Sequence, residues 1–346
     1  MKILIATGIY PPDIGGPAQY AKETAKAWTR AGHSVSVCSF SAFRAFPSGI
    51  RHLAYFSAVF FRALRADLIF IPDTFSAAVP AVAVGKILRK KTIIRTGGDF
   101  LWEQFVERTG DLVLLRNFYT THMKKLNAKE RLIFRLVGWA LRNASAVVFS
   151  TKWQRDIFEK PYHLDLQKCF IVENYYGMHT QHVYSDVLEN IRIKKVFVGG
   201  TRPLKWKNLA RVKEAFAQAQ KQGAPVVLQL ETGSRGKFLL DIEASYAVII
   251  ASLGDISPNT ILEAIAFGKP FILTRETGLY EKLKDIGVWV NPESVDDIAA
   301  QIEWLADDTN YQAQAAKVRA FSFTHSWDEI ASEILTILQQ INTLNR

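Results

Sequence analysis

Residues 2–7 form a nearly continuous apolar run that enters a Gly/Pro-rich loop at residues 8–17, and residues 18–31 follow with helical spacing up to Gly32. A strand without polar alternation has to be covered on both faces, and a strand that leads through a loop into a helix is the first half of a parallel crossover. This beginning restricts the chain to folds in which helices flank a parallel sheet. The next strand is expected at residues 33–40 and further ones at 68–71, 92–95 and 146–150, with helical stretches between them.

The pattern then restarts. Strands are expected at residues 195–198, 225–230, 246–251 and 270–274, a loop at 199–207, and helices at 208–222 and 259–267. Two alternating blocks predict two α/β domains, with the boundary between Asn174 and Arg192, where His179, Gln181, His182 and Ser185 interrupt the apolar periodicity. The expected division is residues 1–180, residues 181–325 and a final helix at 326–346. The second domain should be the smaller, because only one short helix, at 237–244, fits between its second and third strands. In the final helix Trp327, Ile330, Ile334 and Leu338 make an apolar stripe that requires a partner.

A chain of 346 residues, 49% of them hydrophobic, has enough apolar material for two ordinary cores. Its two cysteines, Cys38 and Cys169, are too few for a disulfide framework and agree with a reducing compartment. No secretory signal is legible at the front, and the longest apolar stretch, residues 75–84, is broken by Pro80 and falls short of the roughly 20 residues needed to span a bilayer. The expected location is therefore cytoplasmic. Residues 1–190 carry 25 basic and 15 acidic side chains and residues 191–346 carry 18 of each, so the net charge of +10 belongs entirely to the first half. Nucleic acid, an anionic substrate or an anionic bilayer would each suit such a half.

Four places can carry chemistry. Gly15 and Gly16 stand between the first strand and its helix, where backbone amides can approach an anion; a tight turn after Pro11 and Pro12 is the plainer use. Neither a dinucleotide fingerprint nor a phosphate loop is present there. Arg202 and Lys207 lie in the loop after the first strand of the second block, placed to meet a phosphate unless they are simply solvated charges. Asp255 is expected in a loop and Glu263, eight positions on, one turn into a helix that Ser257 or Asn259 could cap. Glu263 has Ile261, Leu262, Ala264 and Ile265 around it; it needs a hydrogen-bonding partner, which a hydroxyl-rich ligand or the surrounding backbone could supply. Asp99 follows Gly97 and Gly98 and either caps the next helix or reaches into a cleft. The seven histidines have no metal-ligand spacing, so no metal site is expected.

In this order, Gly15-Gly16, then Arg202 and Lys207-Asn208, then Asp255 and Glu263, the chain resembles the retaining nucleotide-sugar-dependent glycosyltransferases of the GT-B fold, family 4-like, also called glycosyl transferases group 1. The resemblance runs over nearly the whole chain. It implies two facing Rossmann-like domains with a C-terminal helix crossing back to the first. It also implies transfer of a hexose-type sugar from a nucleotide-diphosphate sugar, with retention, to a glycan or lipid-linked acceptor in cell-surface polysaccharide or glycolipid synthesis. The donor is a substrate, and no cofactor or metal is implied. By the same resemblance, Gly15 and Gly16 approach the donor diphosphate and the acceptor, Arg202 and Lys207 neutralise the departing diphosphate, Glu263 holds the ribose, and Asp255 contacts the transferred sugar. Asn259 and Thr260 fall in the donor-binding turn. The chain departs from the family in having Asp255 in place of the first glutamate and Pro258 in place of a glycine. No histidine follows the middle strand of the first domain; Asp99 stands there, which gives it an acceptor-side role.

Other readings are an inactive relative of the same fold or a basic binding protein. An epimerase would need an acid and histidine arrangement that is absent, and no nucleic-acid recognition signature is present. A membrane-surface role fits the charge better, because residues 51–65 and 131–142 both interleave arginines with large apolar side chains.

Overall fold

A computed structural model describes residues 1–13, 15–177, 194–199, 203–230 and 233–344. Contacts divide the chain into two compact units. One comprises Met1–Trp102, Thr121–Tyr175 and the residues from His325 onward; the other comprises Glu103–Thr120 and Tyr176–Thr324. The inclusion of Glu103–Thr120 in the second unit departs from the reading of residues 1–180 as a single domain. Most of the interval expected to hold the boundary, residues 178–192, lies outside the described residues.

The first unit is built on β1 (Lys2–Thr7), β2 (Ser34–Ser39), β3 (Leu68–Ile71), β4 (Lys91–Arg95), β5 (Ala146–Phe149) and β6 (Cys169–Ile171). They form one sheet in the order β2-β1-β3-β4-β5-β6, each neighbouring pair parallel. Each crossover needs a helix. Along the chain these are α1 (Gly16–Arg30), α2 (Ser48–Ala63), α3 (Ala78–Ile87), α6 (Ala128–Asn143) and α7 (Lys152–Tyr162); α4 (Phe100–Thr109) and α5 (Leu115–Thr121) also lie between β4 and β5 in sequence but belong mostly to the second unit. Gly32, at φ 80°, ends α1 as expected: Gly32 N–H donates to Thr29 O and His33 N–H to Trp28 O. The α2, α3 and α6 helices pack side by side. At Gly85 α3 comes so close to β4 that a Cβ would lie 2.3 Å from Thr92 Cγ2.

The second unit contains β7 (Lys195–Gly199), α8 (Leu209–Lys221), β8 (Val226–Leu230), α9 (Arg235–Ala244), β9 (Ala247–Ile250), α10 (Asn259–Ala266), β10 (Phe271–Thr274), α11 (Tyr280–Leu283), β11 (Val288–Val290), α12 (Val295–Ala306) and α13 (Asp308–Ala320). Its five strands run in the order β11-β10-β9-β7-β8, again all parallel. One core, around Phe197, Phe216, Ile272 and Ile302, includes residues of α8 and α12; another, around Val198, Ile250, Ile261 and Leu273, includes residues of α9 and α10.

The chain then supplies α14 (Trp327–Leu344) to the first unit. Ile330, Ile334, Ile337, Leu338 and Ile341 are buried in one cluster with Trp28 and Phe70, and the Trp28 indole N–H donates to Ala331 O at 3.0 Å. The apolar stripe read from the sequence thus has its partner in α1, the first helix of the chain.

Candidate active site

Each sheet has a point where the chain, having placed one strand on one side of its first strand, places the next on the other side. Loops leaving the carboxyl ends of strands at such a point diverge and leave a crevice. In the second unit the switch lies at β7, flanked by β8 and β9, so residues 203–208 and 251–258 border it. In the first unit it lies at β1, flanked by β2 and β3.

Lys207 ends a single turn of 3₁₀ helix, Lys205–Lys207. Asn208 follows in the left-handed region at φ 61°, a conformation that asparagine tolerates better than most residues. Its side-chain amide donates to Ala251 O at 2.9 Å and Pro292 O at 2.7 Å, which ties the turn to the end of β9. The Lys207 ammonium lies 2.6 Å from Asp255 Oδ2 and 4.2 Å from the centre of the Trp206 ring. The two ion-paired side chains are only 14% and 12% exposed. Ser252 Oγ donates to the same carboxylate oxygen at 3.3 Å. Among the described residues, Oδ1 of Asp255 accepts no hydrogen bond. Arg202, expected beside Lys207, lies outside the described residues.

Asp255 is in a loop, as expected, and its N–H donates to Glu276 O at 2.9 Å. The capping expectation for α10 is corrected: Pro258 occupies the N-cap, and neither Ser257 nor Asn259 caps the helix. A proline side chain cannot accept a hydrogen bond, so the cap residue of α10 supplies no side-chain acceptor to its first amides. Ser257 Oγ, one residue before the cap, is buried without a hydrogen-bond partner among the described residues. Asn259 is exposed and Thr260 half-buried in the first turn. Glu263 lies one turn further on, half-buried, with Oε2 shielded from solvent and Ile261, Leu262, Ala264 and Ile265 buried on either side of it in sequence.

Sequence reasoning missed the segment that braces these loops. Arg116, at the start of α5, donates to Glu276 Oε2 at 2.6 Å, and Leu115 N–H donates to Leu253 O at 3.1 Å. Glu107 accepts from Lys205 through both its carboxylate and its carbonyl, each at 2.7 Å. Residues from the first third of the chain thus hold both loops that border the switch of the second unit. Burial pushes the Glu276 carboxyl above its ordinary value; Arg116 opposes this, but its half-exposed guanidinium is screened by solvent and does not reverse the direction. A carboxylate so far along the chain from its arginine carries no local sequence signal.

In the first unit Gly15 is the N-cap of α1 and Gly16 its first residue; the end has no side-chain cap and no acidic residue in its first turn. At the same switch Gly8 lies against Asp73, where a Cβ would come 2.5 Å from Oδ2. Asp73 in turn accepts from the backbone N–H groups of Phe75, Ala77 and Ala78. Asp99 is buried, and its Oδ1 accepts from Trp102 N–H at 3.0 Å, the geometry of a helix cap. Arg95, at the end of β4, was not singled out in the sequence. It is 5% exposed, stacks on Tyr20 with its guanidinium carbon 4.1 Å from the ring centre, and donates to Asn174 Oδ1; burial holds its pKa below the ordinary arginine value. The structure therefore brings Lys207 and Asp255 into contact and groups them with Asn259, Thr260 and Glu263 in one unit, while Gly15, Gly16 and Asp99 belong to the other. Among the described residues no three His, Cys, Asp or Glu side chains stand together as metal ligands.

The family model of glycosyl transferases group 1 matches residues 239–308, which include Asp255 and α10. No curated protein matches the chain by sequence. Among solved structures, Anabaena HepE in complex with UDP aligns with a TM-score of 0.66 and 16% identity over 100% of both chains. Sucrose-phosphate synthase from Thermosynechococcus elongatus aligns at 0.72 with 13% identity over 99% of each chain. The catalytic domain of starch synthase IV from Arabidopsis thaliana, bound to ADP and acarbose, aligns at 0.68 with 13% identity over 98% of this chain and 99% of its own. The fold is accordingly GT-B: two Rossmann-like α/β units with a C-terminal helix returned to the first.

Proposed function

We propose that the chain is a retaining glycosyltransferase that moves a hexose-type sugar from a nucleotide-diphosphate sugar to a glycan or lipid-linked acceptor, as in the synthesis of cell-surface polysaccharide or glycolipid. The observation that carries the reading is the pairing of Lys207 with Asp255 at the switch of the second unit, in a chain whose α10 begins without a side-chain cap. The family match over residues 239–308 and the fold likeness to proteins solved with UDP or ADP support it.

In this reading the donor diphosphate meets Lys207 and Arg202, with the amino end of α10 at Asn259 and Thr260 and the Ser257 hydroxyl completing its shell. A helix end and a lysine can take up the charge that develops as the diphosphate leaves, which is the task a metal performs in other transferases. Glu263 accepts from the ribose hydroxyls. The oxygen of Asp255 not engaged by Lys207 accepts from a hydroxyl of the transferred sugar. The loop at Gly15 and Gly16 approaches the diphosphate and acceptor with bare backbone, and Asp99 serves the acceptor side while it caps its own helix.

Isothermal titration with UDP, GDP and ADP tests the reading. One of them should bind, and Lys207→Ala should weaken it by about 1.5–3 kcal/mol, the scale of a hydrogen bond to a charged group. Failure of all three to bind, or unchanged affinity in a folded Lys207→Ala protein, would overturn it.

A further inference from the structure

We propose that the outer face of α2 and the turn before it lie on an anionic lipid bilayer. On the inner side of this helix Tyr55, Val59 and Ala63, four residues apart, are fully buried. The opposite side is as apolar as the inner one. Phe46, Ile50, Leu53, Phe61 and Leu64 are 45%, 54%, 69%, 69% and 50% exposed, and their spacing, with Ser57 between Leu53 and Phe61, lines them along one stripe. Single exposed apolar residues are ordinary; a contiguous stripe of large ones marks an interaction surface.

The charges beside the stripe identify its partner. No aspartate or glutamate occurs between Glu23 and Asp67, while Arg44, Arg51, Arg62 and Arg65 all do. Arg44 is neutralised by Asp13 at 2.8 Å. Arg51 and Arg62 donate only to backbone carbonyls, and none of Arg51, Arg62 and Arg65 has a carboxylate partner among the described residues. A second copy docked about a two-fold axis would set these arginines against their own images. Nucleic acid would satisfy the arginines and leave Leu53 and Phe61 without burial. An anionic bilayer takes both: phosphates meet the guanidinium groups, and the apolar stripe sinks about 5–10 Å to the acyl boundary. The other arginine-rich segment, residues 131–142, does not share this role. In α6 the side chains of Ile133, Val137, Ala140 and Leu141 are core, Leu132 is the one exposed large apolar residue, and Arg142 donates to Tyr162 O.

Co-sedimentation of the full chain with phosphatidylcholine vesicles, with and without phosphatidylglycerol, at low and high salt, tests the proposal. Binding should require phosphatidylglycerol and fall with salt. The double variant Leu53→Ser with Phe61→Ser should weaken it by about tenfold or more, the scale of losing two inserted side chains, and Arg62→Glu with Arg65→Glu should abolish it. All four positions are exposed, so the circular dichroism spectrum and nucleotide titration should match the parent. The proposal falls if anionic vesicles are ignored at low salt, or if the serine variant binds them as the parent does. It also falls if Leu53→Ser with Phe61→Ser breaks a dimer seen by sedimentation while the parent binds no lipid.

Discussion

Asp255 and Lys207 each hold the other in place, so the role of one cannot be disturbed without touching the other. In the proposed reaction the lysine must turn from the carboxylate to the diphosphate. Asp255→Asn keeps the shape, removes the competing charge and leaves Lys207 more available. Nucleoside diphosphate affinity should therefore stay level or rise, while sugar transfer, followed by release of the diphosphate product, should fall by about 10² or more, the scale of losing a group that acts on the reacting sugar. A transfer rate equal to the parent's would remove Asp255 from the site. The placement of Asp255 in a loop and of Glu263 one turn into a helix was legible in the sequence, because apolar spacing marks where that helix begins. The cap of α10 was not, because Ser257, Pro258 and Asn259 are adjacent and only backbone geometry decides which of them is the N-cap. Arg95 was hidden for another reason: at the end of an apolar strand it resembles any charge that closes a strand, and its burial depends on Tyr20 and Asn174, distant in sequence.

At the scale of elements, periodicity located the long and well-buried strands to within a residue or two, and β1 and β3 with the bounds observed. It missed β6 and β11, each three residues long and too short to hold a pattern. It also missed the allegiance of α5, since helical spacing says that a face is buried and not against what. The Arg116–Glu276 pair that fixes this segment gives a pH signature. A carboxyl whose folded pKa is raised holds its proton more tightly in the folded chain than in the unfolded one. Stability of the second unit should therefore decline as pH rises from the ordinary glutamate value through the folded one, and Glu276→Gln should flatten that decline in thermal melts. Arg116→Met should lower stability by about 1–3 kcal/mol at neutral pH, the cost of a buried acceptor left without its donor. Melts of Glu276→Gln that keep the full pH dependence of the parent would refute this account.

The two-block architecture of the whole molecule was visible in the sequence because each block restarts the same alternation, and the apolar stripe of the final helix announced a missing partner. The pairing with α1 was not visible in periodicity, and neither was the interleaving of the units along the chain. The Ile330, Ile334, Ile337, Leu338 and Ile341 side chains are each worth about 1.5–3 kcal/mol of burial, a sum comparable to the roughly 5–15 kcal/mol stability of a domain. Removing residues 325–346 should consequently unfold the first unit, seen as loss of near-ultraviolet dichroism from Trp28 and binding of a hydrophobic dye. A truncated protein with the melting curve of the parent would contradict this. The order of synthesis gives the same feature a further consequence. The residues of the first unit up to Tyr175 leave the ribosome before most of the second, yet the helix that closes their core is translated only after Thr324. At about 5–20 residues per second, the apolar groove beside Trp28 and Phe70 stays open for on the order of ten seconds in every nascent chain. During that interval the growing chain is a substrate for chaperones, and the unit begun first is completed last.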